Sequence, residues 1–247
     1  MNTKLIAAVA GALTLAFTGA VVAADYSAAL NDAKRPADQK ARDAARKPAE
    51  ILAIAEVKPG DKVGDFIMGG GYFTRIFAPA VGPTGKVYAL QPKEFIDFQA
   101  SYGTNQDTVV ADYQNVTPLR PSLGAIAFPE PLDVIFTAQN YHDMHLKMAP
   151  EPLAGMVDKA LFEALKPGGL LVVVDHYAAD GSGTRDTDAL HRIDIETVKK
   201  EVLAAGFVLE SQSDILRNAA DPRTASVFDA SIRGKSDQFV LKFRKPK

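Results

Sequence analysis

The residues best suited to chemistry in this chain fall in three short stretches. The first is Val63-Gly64-Asp65-Phe66-Ile67-Met68-Gly69-Gly70-Gly71-Tyr72-Phe73-Thr74-Arg75, an apolar run that passes through three glycines straight into a helical pattern. Such a turn lets backbone approach a ligand closely, and the first N–H groups of the new helix stay unpaired and face it. Three consecutive glycines also cost backbone entropy, which favours a ligand over a bare turn. The second stretch is Thr137-Ala138-Gln139-Asn140-Tyr141-His142-Asp143-Met144-His145. Imidazole titrates near neutrality, so His142 is the candidate general base and Asp143 the group to orient or charge it. The competing account is that Asn140 and His142 bind loop backbone and only shape a pocket. The third stretch is Asp175-His176-Tyr177, followed after the polar loop 180–188 by His191-Arg192. Asp175 and His176 can equally complete a base pair with His142. All four histidines (142, 145, 176 and 191) follow a predicted strand end. His142, Asp143, His145, Asp175 and His176 show no compact ligand spacing on one helix, so no metal is expected.

The elements that position these groups alternate. Short apolar runs at 62–67, 86–90, 108–111, 132–138, 170–174, 207–213 and 238–243 read as strands, most of them buried on both faces. Helical patterns at 72–81, 151–165 and 193–205 lie between them, with Gly82 and Gly206 as caps. The proline-bearing segment 115–131 reads as a loop. Strands alternating with helices imply βαβ units and a mainly parallel, doubly wound α/β sheet. No helix separates the last two strands, so the final one is free to enter antiparallel. In such sheets ligands bind at the carboxyl ends of strands, beside the point where strand order reverses.

Composition narrows the possibilities further. The 247 residues are 47% hydrophobic and 23% charged, which suits one globular domain. A net charge of −2 gives no electrostatic reason to expect nucleic acid. With no cysteine, disulfides and thiolate chemistry are excluded. Residues 1–24 combine Lys4, an apolar run from Leu5 to Val22 and Val22-Ala23-Ala24, and read as a signal peptide that leaves Asp25 as the mature N-terminus. Export, to the periplasm of a bacterium, is the expected localisation, with no stable membrane insertion after cleavage. Residues 25–47 are charged and cut by Pro36, a helical arm ahead of the domain at 48–247. The cations Arg217, Arg223, Arg233 and Lys235 can meet an anionic substrate, though a solvated loop explains them equally. The glycine spacing is wrong for a dinucleotide site, and no Gly-Lys-Ser/Thr follows to make a P-loop.

The run Gly69-Gly70-Gly71-Tyr72-Phe73-Thr74-Arg75 resembles the first motif of class I S-adenosylmethionine-dependent methyltransferases, in a bacterial branch with Gly-Gly-Gly-Tyr. Asn140-Tyr141-His142-Asp143, Leu165-Lys166-Pro167-Gly168-Gly169, Asp175-His176 and Ala205-Gly206-Phe207 extend the resemblance over about 48–247. It implies a Rossmann-like seven-stranded sheet with the last strand antiparallel, and S-adenosylmethionine as cofactor. Asp65, Gly69, Gly70, Gly71, Tyr72, Thr74 and Asn140 would then lie on the cofactor, Gln91 at its ribose hydroxyls and Asp112, ending the third strand, at its adenine. His142, Asp143 and His176 would serve catalysis on a small-molecule acceptor. Two positions depart from the family: Ile67 stands at its first glycine, and Gln91 at its ribose acid. Three functions follow for testing: methyl transfer, a non-catalytic accessory protein on the same fold, or a nicotinamide oxidoreductase, which the glycine spacing disfavours.

Overall fold

The computed structural model describes residues 25–147, 149 and 152–247, so the proposed signal peptide at 1–24 lies outside the described residues. In chain order the elements are α1 (Ser27–Leu30), α2 (Ala37–Lys40), α3 (Asp43–Arg46), α4 (Pro48–Ile54), β1 (Lys62–Phe66), α5 (Thr74–Val81), β2 (Lys86–Leu90), α6 (Lys93–Phe98), α7 (Ser101–Asp112) and β3 (Val116–Leu119). There follow β4 (Leu132–Ala138), α8 (Leu153–Ala164), β5 (Leu165–His176), α9 (Thr187–Leu190), α10 (Ile195–Ala204), β6 (Val208–Ser213) and β7 (Gln238–Arg244). The seven strands form one sheet in the order β3-β2-β1-β4-β5-β7-β6. β7 runs antiparallel to both β5 and β6, and the remaining pairs are parallel. Among the described residues no helix is long and apolar enough to cross a membrane.

Both faces of the central strands are apolar, which is why their sequences run continuously hydrophobic. Along β5, Leu170, Val172 and Val174 pack with the cluster under α4 and α5, while Leu171 and Val173 pack with the cluster under α8 and α10. The helices cover those faces and are closed by local chemistry. Asp194 caps α10 by accepting from the Glu196 N–H at 3.0 Å, and Gly206 leaves that helix at φ +107°.

The structure moves one expected strand. Residues 108–111 belong to α7, not to the sheet. Burial along that segment falls on Gly103, Gln106 and Val109, a spacing of three that suits a helix and not the alternation of a strand. The third strand is instead β3, inside the segment expected to be a loop. Its Pro118 removes a ladder donor, which an edge strand tolerates because its outer side pairs with nothing. β6, at the other edge, is mostly exposed and so departs from the doubly buried pattern.

The arm is also more integral than its composition implies. Tyr26 and Ala29 join the core cluster, and the Tyr26 hydroxyl donates to the Val57 carbonyl at 2.7 Å and to that of Leu52 at 3.2 Å. Truncating that ring removes both the packing and the donor. Tyr26→Ala is expected to cost ~3 kcal/mol in urea unfolding and Tyr26→Phe about 1 kcal/mol; a cost near zero for both would mean that the arm does not help to hold the domain.

Candidate functional site

β1 lies between β2 and β4, so strand order reverses there, and the segments leaving the carboxyl ends of β1 and β4 become neighbours. Asn140 bridges them. Its Nδ2 donates to the carbonyls of Ile67 at 2.9 Å and Ala138 at 2.7 Å. The glycine stretch and the histidine stretch thus share one edge, as the sequence implied.

The first pole is the glycine turn. Ile67 sits at φ +60°, Gly69 at +57° and Gly71 at +74°. A β-branched residue in the left-handed region is strained, and the position is one where glycine would be relaxed. The glycines have different reasons to be there. A Cβ on Gly71 would fall 2.5 Å from Val109 Cγ2, whereas one on Gly70 would meet no protein atom within 4 Å. Gly70 also lacks a positive φ. Neither backbone strain nor internal crowding therefore requires glycine at position 70, and the open space above it suits a ligand lying on the backbone.

Gln91 does not stand at a solvated ribose site. It is fully buried, and its Oε1 accepts from the Gly69 N–H at 2.9 Å. That bond fixes the amide orientation and leaves Gln91 Nε2 buried with no partner among the described residues. An orphaned buried donor costs about 1–3 kcal/mol, which a hydroxyl acceptor would recover. Asp65, at the end of β1, is buried and accepts from Thr74 Oγ1 at 2.5 Å. Burial pushes its carboxyl up to about 6, against the lowering effect of the Thr74 hydrogen bond and the Arg46 charge.

Tyr72 turns away from the cradle toward the arm. Its hydroxyl binds Asp43 Oδ1 at 2.6 Å, and Arg46 stacks over its ring at 4.2 Å. Gln39 of α2 donates to the Gly70 carbonyl at 3.1 Å, so the arm also grips the glycine turn. Asp112 is a correction. It closes α7 before β3 begins, with its carboxylate 4.0 Å from Arg75 Nε, and so does not stand at the carboxyl end of the third strand.

The second pole is built on Asp175, fully buried at the end of β5. Its carboxylate accepts from the His142 N–H at 2.8 Å and the His176 N–H at 2.7 Å, and pairs with His142 Nδ1 at 2.9 Å. Burial works against this charge, but His142 and these bonds outweigh it and hold the carboxyl below its ordinary value. For His142 burial likewise opposes the cation, and the Asp175 charge and hydrogen bond, with Asp143, raise its pKa overall. Asp175, and not Asp143, therefore orients the ring. Asp143 Oδ1 faces the opposite nitrogen, Nε2, at 3.3 Å, and burial pushes that carboxyl up to about 6.

His191, at φ +51° after α9, brings Nδ1 to 3.3 Å from the same His142 Nε2. The intervening loop conceals this proximity from the sequence. His176 Nδ1 binds Ser236 Oγ at 2.7 Å. Burial, then the positive charges of His142, Arg192 and Arg46 against the pull of Asp175, take its pKa down to about 3, so it stays neutral as a wall of the site. His145 points elsewhere, to Glu201 at 2.9 Å. The C-terminal cations Arg217 and Arg223 pair with Asp237, each at 2.9 Å.

No protein-family model matches the chain. A stretch of 126 residues, 50% of the chain, is 30% identical to a protein-L-isoaspartate O-methyltransferase of Methanosarcina mazei and spans 43% of that protein. The fold is similar to a SAM-dependent methyltransferase from Aquifex aeolicus, with a TM-score of 0.57 at 21% identity over 89% of this chain and 98% of the other. It is also similar to the N-methyltransferase NodS of Bradyrhizobium japonicum, with a TM-score of 0.56 at 12% identity over 82% and 96%. The [4+2]-cyclase SpnF matches with a TM-score of 0.58 at 17% identity over 87% and 84%. The architecture is the class I methyltransferase fold, and the cyclase shows that this fold alone does not fix the chemistry.

Asp65 gives the site a pH signature. The folded state keeps a proton that the unfolded chain, with its carboxyl near 3.8, has already lost. Stability attributable to this group therefore falls as pH rises from about 4 to about 6, and stays lower above that. Asp65→Asn is expected to be more stable than the parent by ~1–3 kcal/mol at pH 7 and no more stable at pH 3, as read by chemical denaturation. A pH-independent difference would remove the assigned cause.

Proposed function

We propose that the chain is an S-adenosylmethionine-dependent methyltransferase acting on a small-molecule acceptor. The observation that carries this reading is the glycine at position 70, which nothing inside the fold requires, beside the unpartnered Nε2 of Gln91 at the switch point of a methyltransferase fold. When bound, the cofactor supplies a methyl sulfonium whose carbon is already electrophilic. The glycine turn would take its methionine and sugar parts on open backbone, with Gln91 Nε2 donating to a ribose hydroxyl. A positive group of the ligand beside Asp65 would offset the cost of ionising that buried carboxyl. The chain has then to align an acceptor and promote loss of its proton. The His142 pole is suited to this, since Asp175 holds Nδ1 and, in the neutral ring, leaves a lone pair on Nε2 on the side facing Asp143 and His191.

Calorimetric titration with S-adenosylmethionine and S-adenosylhomocysteine tests the reading. Both are expected to bind, and Gly70→Val to weaken them at least ~tenfold, a loss of about 1.4 kcal/mol or more. Absence of heat from either ligand in a folded sample would refute it. His142→Ala is expected to retain that affinity and lower turnover about a hundredfold once an acceptor is in hand; unchanged turnover would remove His142 from the mechanism.

The localisation we propose is outside the cytoplasm, on the strength of the leader-like composition of residues 1–24. Cell fractionation is expected to recover a chain beginning at Asp25 from the periplasm; a full-length cytoplasmic product would contradict export.

A further inference from the structure

Three atoms at the second pole that can each offer a lone pair converge on one point. Asp175 is buried and acceptor-only, so the hydrogen shared with it at 2.9 Å sits on His142 Nδ1, and in the neutral ring Nε2 is an acceptor. Facing that nitrogen are Asp143 Oδ1 at 3.3 Å and His191 Nδ1 at 3.3 Å. All three ligand atoms lie within 4.8 Å of one another. Such a convergence is held together by a shared proton or by a cation between the three atoms.

The two separations from His142 Nε2, 3.3 Å each, are those of donors on a shared metal ion. Two nitrogen or oxygen donors about 2.0–2.1 Å from a shared ion, at a tetrahedral angle, stand about 3.3 Å apart. A second feature is independent of the spacing. A metal-binding imidazole characteristically gives its other nitrogen to a carboxylate, which fixes its tautomer and raises its basicity. His142 does so to Asp175, whose carboxylate is fully buried and also holds the His142 main chain. His191 is aimed inward by a left-handed backbone at φ +51°, and the Phe228 ring packs against it with centroids 4.7 Å apart.

We propose that His142 Nε2, Asp143 and His191 Nδ1 form a binding site for a divalent first-row transition-metal ion. Two imidazoles and one carboxylate suit zinc, iron or cobalt better than calcium or magnesium. Three protein donors leave a coordination position open, as catalytic sites do. An oxygen of the acceptor is the group that would fill it. The proposal rests on the functional reading only for that last step. It replaces a bare imidazole with an ion as the means of activating the acceptor. Sequence spacing conceals such a site because its donors come from two distant segments, one after β4 and the other after α9.

The test uses untagged protein stripped with chelator, then dialysed against zinc or cobalt, with no cofactor present. One ion per chain is expected by elemental analysis, together with a visible cobalt spectrum of a nitrogen-ligated, four- or five-coordinate centre. His191→Ala and Asp143→Asn are each expected to weaken binding at least ~tenfold, and Asp175→Asn by about 10–100-fold through loss of the ring's orientation. His145→Ala, which removes the histidine paired with Glu201, should bind as the parent does. Thermal unfolding of each variant separates loss of the site from loss of the fold. No bound ion in the folded parent would overturn the proposal, as would an ion retained at full affinity by His191→Ala and Asp143→Asn. Either result would leave cofactor binding at the glycine turn, measured separately, untouched.

Discussion

The bond between the Asp175 carboxylate and His142 is the constraint on which the geometry of the second pole depends. A buried carboxylate at the end of a central strand is costly to hold ionised, and here one imidazole and two main-chain N–H groups stabilise it. The same contacts tie the segment leaving β4 to the end of β5. They also place a hydrogen on His142 Nδ1 and turn Nε2 toward Asp143 and His191. A single buried group thereby sets the path of a loop and the orientation of a ring.

The cofactor pole obeys the opposite logic. There the structure tolerates costs that folding alone does not explain. Ile67 holds a left-handed backbone, Gln91 Nε2 has no partner among the described residues, and Asp65 is buried where its charge is disfavoured. The last two would be relieved by a ligand carrying hydroxyls and a positive charge. The departures from the methyltransferase pattern at Ile67 and Gln91 are accommodated by geometry. Ile67 adopts the conformation a glycine would take, and Gln91 props the turn from beneath while turning a donor loose.

Much of this was legible from residue patterns, and the failures have physical causes. The continuous apolar runs at 132–138 and 170–174 gave strands because both faces of the central sheet are covered. Residues 108–111 misled because a Thr-Val-Val-Ala run looks like a strand, whereas burial every third residue over 101–112 makes it a helix. The prolines around β3 masked an edge strand, and Asp112 went astray with it. The glycine turn and Asn140 could be read because they follow strand ends in the chain. The pairing of His142 with Asp175, and the approach of His191, depend on strand order and on a loop crossing, which no local spacing records.

The central claim is that S-adenosylmethionine lies on the Gly69–Gly71 turn and presents its reactive end toward His142. A crystal structure with S-adenosylhomocysteine tests this most directly. The account predicts ligand over the Gly70 backbone, a ribose hydroxyl accepting from Gln91 Nε2 and the thioether sulfur on the side of the cradle facing the His142 pole. Ligand bound elsewhere, or a turn left bare with Gln91 Nε2 still unpartnered at saturating ligand, would contradict it.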